Sequence, residues 1–152
     1  MRGCAGIEAS YQQQFSFLPG IWKGFGAFAN FTYLQAEGTF GGLSTTRQLA
    51  NLAPRSGNGG INFRFRGLDL RFLGNWTAMK YKSTVTGIDV YNDERLLLDA
   101  KLQYSFNRRY DVFLDINNLT DEAPRTDSSR NGLHFFKTNQ GVGFTAGVRG
   151  RF

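Results

Sequence analysis

Hydrophobicity in this chain repeats every second residue, and nearly all charge falls on one side of that repeat. Between Arg95 and Phe106, the residues Leu96, Leu98, Ala100, Leu102, Tyr104 and Phe106 alternate with Arg95, Asp99, Lys101, Gln103 and Ser105, and Leu97 alone is out of place. A period of two sends alternate side chains to opposite faces of an extended strand. Such a strand must hide its greasy face, either against a soluble core or against lipid.

Six further segments alternate in the same way. In the first, Ile7, Ala9, Tyr11, Phe15 and Phe17 oppose Glu8, Ser10, Gln12, Gln14 and Ser16, with Gln13 a misfit on the apolar side. Next, Phe25, Ala27, Ala29, Phe31 and Tyr33 oppose Gly24, Gly26, Asn30 and Thr32, with Phe28 and Leu34 as exceptions. Gly57, Gly59, Ile61, Phe63 and Phe65 oppose Asn58, Gly60, Asn62, Arg64 and Arg66. Leu68, Leu70, Phe72, Gly74, Trp76 and Ala78 oppose Asp69, Arg71, Asn75 and Thr77, with Leu73 misplaced. Val112, Leu114 and Ile116 oppose Asp111, Asp115 and Asn117. In the last segment, 141–152, Val142, Phe144, Ala146, Val148, Gly150 and Phe152 alternate with glycines, Thr145, Arg149 and Arg151. The chain therefore reads as all-β, an antiparallel up-and-down meander of about seven long strands without a helix.

The connections also alternate. Those after Phe17, Phe65 and Phe106 are short; those at about 35–52, 81–94 and 119–140 are long, polar and read as loops. Barrels of the bacterial outer membrane have short turns at one end and long loops at the other. Aromatics sort with this pattern. Phe15, Phe17, Trp22, Phe25, Phe63, Phe65, Tyr104, Phe106 and Phe152 fall near the short-turn edge, and Tyr33, Trp76 and Tyr81 near the other. Phenylalanine is unusually frequent, 15 of 152 residues, although only 41% of the chain is hydrophobic. That combination suits strands greasy on one face and edged by aromatic girdles. No apolar run approaches the ~20 residues of a spanning helix. The net charge of +6 is scattered rather than gathered into a patch, which argues against a nucleic-acid partner. These features favour a segment of a larger transmembrane β-barrel. A half-exposed soluble sheet shows the same alternation, so a soluble β-sheet binding protein stands as an alternative reading.

The stretch Asp111-Val112-Phe113-Leu114-Asp115-Ile116-Asn117-Asn118-Leu119-Thr120-Asp121-Glu122 resembles the penultimate strand of TonB-dependent outer-membrane receptors. Phe144 to Phe152 resembles the family's C-terminal strand. Gly6-Ile7-Glu8-Ala9-Ser10-Tyr11, Leu18-Pro19-Gly20 and Phe28-Ala29-Asn30-Phe31-Thr32-Tyr33 resemble one of its late hairpins. The resemblance implies a plug domain and a barrel of about 22 strands. Residues 1–152 would be the C-terminal portion of that barrel, with a signal peptide, the plug and the earlier strands lying upstream. It further implies energy-coupled uptake of a scarce nutrient (siderophore, cobalamin or saccharide), by the intact receptor rather than by this piece. The implied partners are outer-membrane lipid, the barrel assembly machinery, the plug domain and the TonB energy-transducing complex. Part of a passive porin-like channel is the alternative within the membrane reading. Neither an enzymatic activity nor a cofactor is expected.

Candidate residues fall into three groups. Phe144, Ala146, Val148 and Phe152 resemble the signal read by the outer-membrane assembly machinery. Arg47, Arg125, Arg130 and His134, with Lys137, lie in the expected external loops, where charge-assisted bonds suit a carboxylate or phosphate; the plainer reading is that such loops are simply polar. Arg64, Arg66, Arg71, Arg149 and Arg151 fall on the polar face, expected to be lumenal, and the resemblance implies that such groups hold the plug. Asp111 and Asp115 share that face about 13 Å apart, too far for a catalytic carboxylate pair. Their expected partners are cations such as Arg149 or Lys101. His134 is the single histidine and Cys4 the single cysteine, so no metal-ligand set is legible.

Overall fold

The computed structural model describes residues 3–38, 47–85, 87–128, 134–137 and 140–151. Twelve strands follow in chain order: β1 (Cys4–Gln14), β2 (Phe25–Gly38), β3 (Arg47–Gln48), β4 (Arg55–Phe65), β5 (Leu68–Thr77), β6 (Lys80–Val85), β7 (Ile88–Asn92), β8 (Arg95–Ser105), β9 (Tyr110–Asn117), β10 (Arg125–Ser128), β11 (His134–Lys137) and β12 (Gly143–Gly150). The expected seven-strand meander is present as the path β1-β2-β4-β5-β8-β9-β12, antiparallel throughout and not closed. A short 3-10 turn, Gly20–Gly24, precedes β2.

Register aligns the alternation of every strand with that of its neighbours. One row across the sheet reads Gln13, Ala27, Ile61, Phe72, Ala100, Ile116, Phe144. The adjacent row, on the opposite face, reads Gln14, Gly26, Asn62, Arg71, Lys101, Asp115, Thr145. A slip of one residue at any pair would mix the two faces. Because no pair slips, the sheet is a wall with one continuous apolar surface and one polar surface. Strands β1, β4 and β8 each have 11 residues, the length of a tilted strand that crosses a bilayer.

The wall has almost no core. Among the described residues the buried apolar side chains are Ala36, Ala78, Val90 and Ala123, and no large side chain is fully buried. All four lie at the long-loop end. Meanwhile Ile7, Phe72, Phe144 and Val148 are 70%, 58%, 69% and 71% exposed. A contiguous apolar surface of this kind needs a cover.

The short turns carry the chemistry their geometry requires. Arg66 and Gly67 both have positive φ, 46° and 86°, the arrangement of a type I′ hairpin that matches the twist of its strands. Asn107 Oδ1 accepts the backbone N–H of Arg109 at 2.8 Å and of Tyr110 at 3.0 Å, closing the β8–β9 turn. Aromatics gather at this end in a chain of ring contacts: Trp22–Phe25 at 5.6 Å, Phe25–Phe63 at 4.6 Å and Phe63–Phe65 at 6.4 Å.

The long connections differ from the irregular loops expected of them. Strand β2 continues to Gly38, and β3 pairs back on it through Glu37 and Gln48. Segments 81–94 and 119–140 contain the hairpin strands β6, β7, β10 and β11, which form a second sheet in the order β11-β10-β7-β6. The joint between the two connections is β7–β10, where Asn92, Tyr91 and Val90 face Thr126, Asp127 and Ser128. Tyr81, expected at the wall's aromatic edge, lies instead in β6 with its ring 5.7 Å from that of Tyr91. Pairing of this kind depends on a partner some 35 residues away, so neither segment displays it alone.

Candidate functional site

The polar face of the wall is zoned along the strands. Near the short turns it is ionic. Asp69 accepts hydrogen bonds from Arg64, at 3.0 Å from Nε and 2.5 Å from a terminal nitrogen, and from Arg71 Nε at 3.0 Å. Lys101 stands 3.6 Å from Asp115, and Arg151 stands 3.8 Å from Asp111. The Arg149 guanidinium lies 5.9 Å over the Phe113 ring. Arg66 is in the turn, its guanidinium 5.2 Å over the Phe65 ring. Exposed pairs of this kind contribute at most about 1 kcal/mol each. They set a field and leave donors accessible more than they hold the sheet together.

Nearer the loops the face turns neutral across β2, β4 and β5. Asn30 Nδ2 donates to Asn58 Oδ1 at 2.8 Å, and Asn58 stands opposite Asn75 in the next strand. Thr32, Ser56 and Thr77 form the next row. Between the zones, two of the misfits of the alternation pack together: Phe28 and Leu73 flank Gly60, which leaves them room. A methyl group on Gly60 would meet Phe28 and Leu73 side-chain carbons at 2.9 Å and the Phe72 carbonyl at 2.6 Å. The Phe113 ring likewise lies over Gly147.

A clasp fixes the last long connection to the wall. Asn118 is buried and has φ of 58°, a conformation Asn tolerates better than most residues. Its backbone N–H donates to Asp99 Oδ1 at 2.9 Å. Its side chain accepts the Glu122 N–H at 2.8 Å and donates to the carbonyls of Glu122 at 3.2 Å and Gly141 at 3.0 Å. One amide thus bridges the outgoing and returning arms of the connection.

Above this clasp, between the loop end of the wall and the second sheet, is a cavity of about 310 Å³. Asn75, Thr77, Arg95 and Leu97 line it from the wall; Lys80, Asn92, Asp93, Pro124, Arg125 and Thr126 line it from the connections. Arg95 donates to Gln140 Oε1 through a terminal nitrogen. Its Nε is buried with no hydrogen-bond partner among the described residues. The arrangement offers several cationic donors beside a small apolar surface, which can bind and orient an anion. Among the described residues of its lining there is no nucleophile–base pair.

Of the expected loop residues, Arg125 is exposed and lines this cavity. Arg47 falls in β3, and His134 and Lys137 are the end residues of β11. Arg130 and Phe152 lie outside the described residues. Phe144, Ala146 and Val148 share the apolar face of β12, all exposed. Lys80 has no signal in the sequence, and Arg95 reads there only as a polar-face residue of its strand. Arg95 is the opening residue of a well-patterned strand, and Lys80 follows one. Nothing local separates them from ordinary strand-end charges.

A family model described as TonB dependent receptor-like, beta-barrel, matches residues 5–119. No curated protein and no solved structure matches the chain.

Proposed function

The chain belongs to the TonB dependent receptor-like β-barrel family, and on that premise we propose that it forms a seven-strand arc of an outer-membrane receptor that imports a scarce nutrient with energy coupling. The observation that carries this reading is the unbroken apolar row from Ala27 to Phe144, in which Ile61, Phe72 and Phe144 are exposed and no core lies behind the others. Lipid hydrocarbon covers that face, and the opposite face lines a wet lumen. The outer edges of β1 and β12 are not paired to each other, which supports a wall completed by further polypeptide. Without it the arc encloses no lumen and does not transport. A plug domain meets the ionic zone, with Arg64, Arg71, Arg149 and Arg151 as its contacts, and couples the receptor to the TonB complex. Phe144, Ala146, Val148 and Phe152 present the closing strand to the assembly machinery. A siderophore, cobalamin or a saccharide is the cargo class.

Cysteine labelling in outer membranes tests the arc. In a Cys4→Ser background of the full-length receptor, Ile61→Cys and Phe72→Cys resist a membrane-impermeant maleimide, whereas Asn58→Cys and Asn75→Cys react. Equal labelling of Ile61→Cys and Asn58→Cys would refute the membrane wall. Uptake that continues at the same rate in cells lacking TonB would instead favour a passive channel.

A further inference from the structure

We infer that the cavity between the wall and the second sheet is a binding site for a compact soluble anion, a carboxylate or phosphate attached to a small apolar body. The inference rests on the receptor reading only for placing the cavity at the mouth of a lumen.

The charge balance carries it. In the ionic zone, Arg64, Arg71, Lys101 and Arg151 each face a carboxylate, supplied by Asp69, Asp115 or Asp111. At the cavity the pattern stops. Lys80, Arg95 and Arg125 come from three separate strands and converge on one space. No ion pair reaches any of them among the described residues. The one carboxylate of the lining is Asp93, and its Oδ1 accepts the N–H of Glu94 at 2.8 Å. Three cations against one carboxylate leave the lining with an excess of positive charge, and like charges brought together repel, so the arrangement is suited to an anion arriving from outside. Arg95 adds a second, independent sign. Burying a guanidinium donor without a partner is costly, and Nε is so buried while Gln140 holds the far end of the same group.

The pairing of the second sheet positions these groups. Asn92 stands opposite both Lys80 and Thr126, and Thr126 Oγ1 donates to Asn92 Oδ1 at 3.2 Å. Lys80 and the start of β10 are thereby fixed two strands apart on one short ladder. Leu97 and Pro124 contribute the apolar part of the lining. A volume of about 310 Å³ sits at the low end for small-molecule sites, so the solute is compact. A lipid phosphate is disfavoured by direction. Thr77, Arg95 and Leu97 belong to the polar face, while their neighbours Trp76 and Leu96 face each other on the apolar one.

Isothermal titration of the full-length receptor in a neutral detergent, with citrate and inorganic phosphate as separate probes at low salt, tests the site. Saturable binding of at least one probe is expected. Lys80→Gln and Arg125→Gln should each weaken it about tenfold, the usual consequence of losing one charge-assisted hydrogen bond, while Arg108→Gln, in the β8–β9 turn at the other end, should leave it unchanged. Folded mobility on unheated gels is checked for each variant; Arg125 is exposed and its replacement disturbs no packing. Absence of saturable binding for both probes, or equal binding by wild type and Arg125→Gln, overturns the inference. So does competition by lipopolysaccharide micelles that the same substitutions abolish, which would assign the cations to a lipid headgroup. The labelling pattern at Ile61 and Asn58 is measured separately, so loss of the anion site leaves the membrane wall standing, and the reverse.

Discussion

The side-chain amide of Asn118 donates to the carbonyl of Gly141 at 3.0 Å, joining residues 23 apart at the base of the last long connection. The same side chain accepts from Glu122, so both arms hang from one residue with left-handed backbone. Replacing it by Ala removes three side-chain hydrogen bonds and puts a Cβ residue with no compensating polar group at φ 58°. The sum is on the order of 2–4 kcal/mol, from about 1 kcal/mol per bond and about 1 kcal/mol for the backbone. The loss is local, so it should appear as faster amide exchange over 119–128 with little change in β1 or β2. Asn118→Asp keeps the acceptor for Glu122 and the tolerance of the backbone but loses both donated bonds, and should fall between wild type and Ala. Identical exchange in wild type and Asn118→Ala would show that the clasp holds nothing.

Gly60 gives a prediction of opposite character, in which adding atoms does the damage. A methyl group there lies 2.6 Å from a backbone carbonyl that cannot swing away. Forcing extra atoms into packed space costs about 1–3 kcal/mol. Gly60→Ala should therefore lower the temperature at which the folded form in detergent converts to the unfolded one. Gly143→Ala is the control, since its nearest neighbour would be 3.8 Å away. Equal melting of the two variants contradicts the packing of Phe28 and Leu73 over Gly60.

These two residues also mark what a reader of the sequence alone can and cannot find. The wall was legible because its cause is local: Leu96 to Phe106 state their faces by alternation, and register then follows from matching greasy rows. The misfits Phe28 and Leu73 looked like noise. They are a pair, visible only once β2, β4 and β5 lie side by side with Gly60 between them. The second sheet was missed for a related reason. Its central joint matches Asn92 to Thr126, in segments too short and polar to carry a period. Arg125 was noticed as a loop cation, but its companions Lys80 and Arg95 are brought to it by that joint, not by spacing along the chain.

Phe72 tests the direction of the whole wall. It sits mid-strand in the apolar row between Ile61 and Ala100 and is 58% exposed. If hydrocarbon covers this row, Phe72→Arg carries a cation into the middle of a bilayer, at about 2–4 kcal/mol for a lipid-facing barrel position. Asn58→Arg, on the opposite face and two residues from Gly60, places the same charge in water and should cost under about 1 kcal/mol. The measurement is the denaturant midpoint of the full-length receptor folded into lipid vesicles, compared between the two variants. A larger loss for Phe72→Arg supports lipid on that side. If Asn58→Arg proves the more damaging, the apolar row is lumenal and the wall faces the other way.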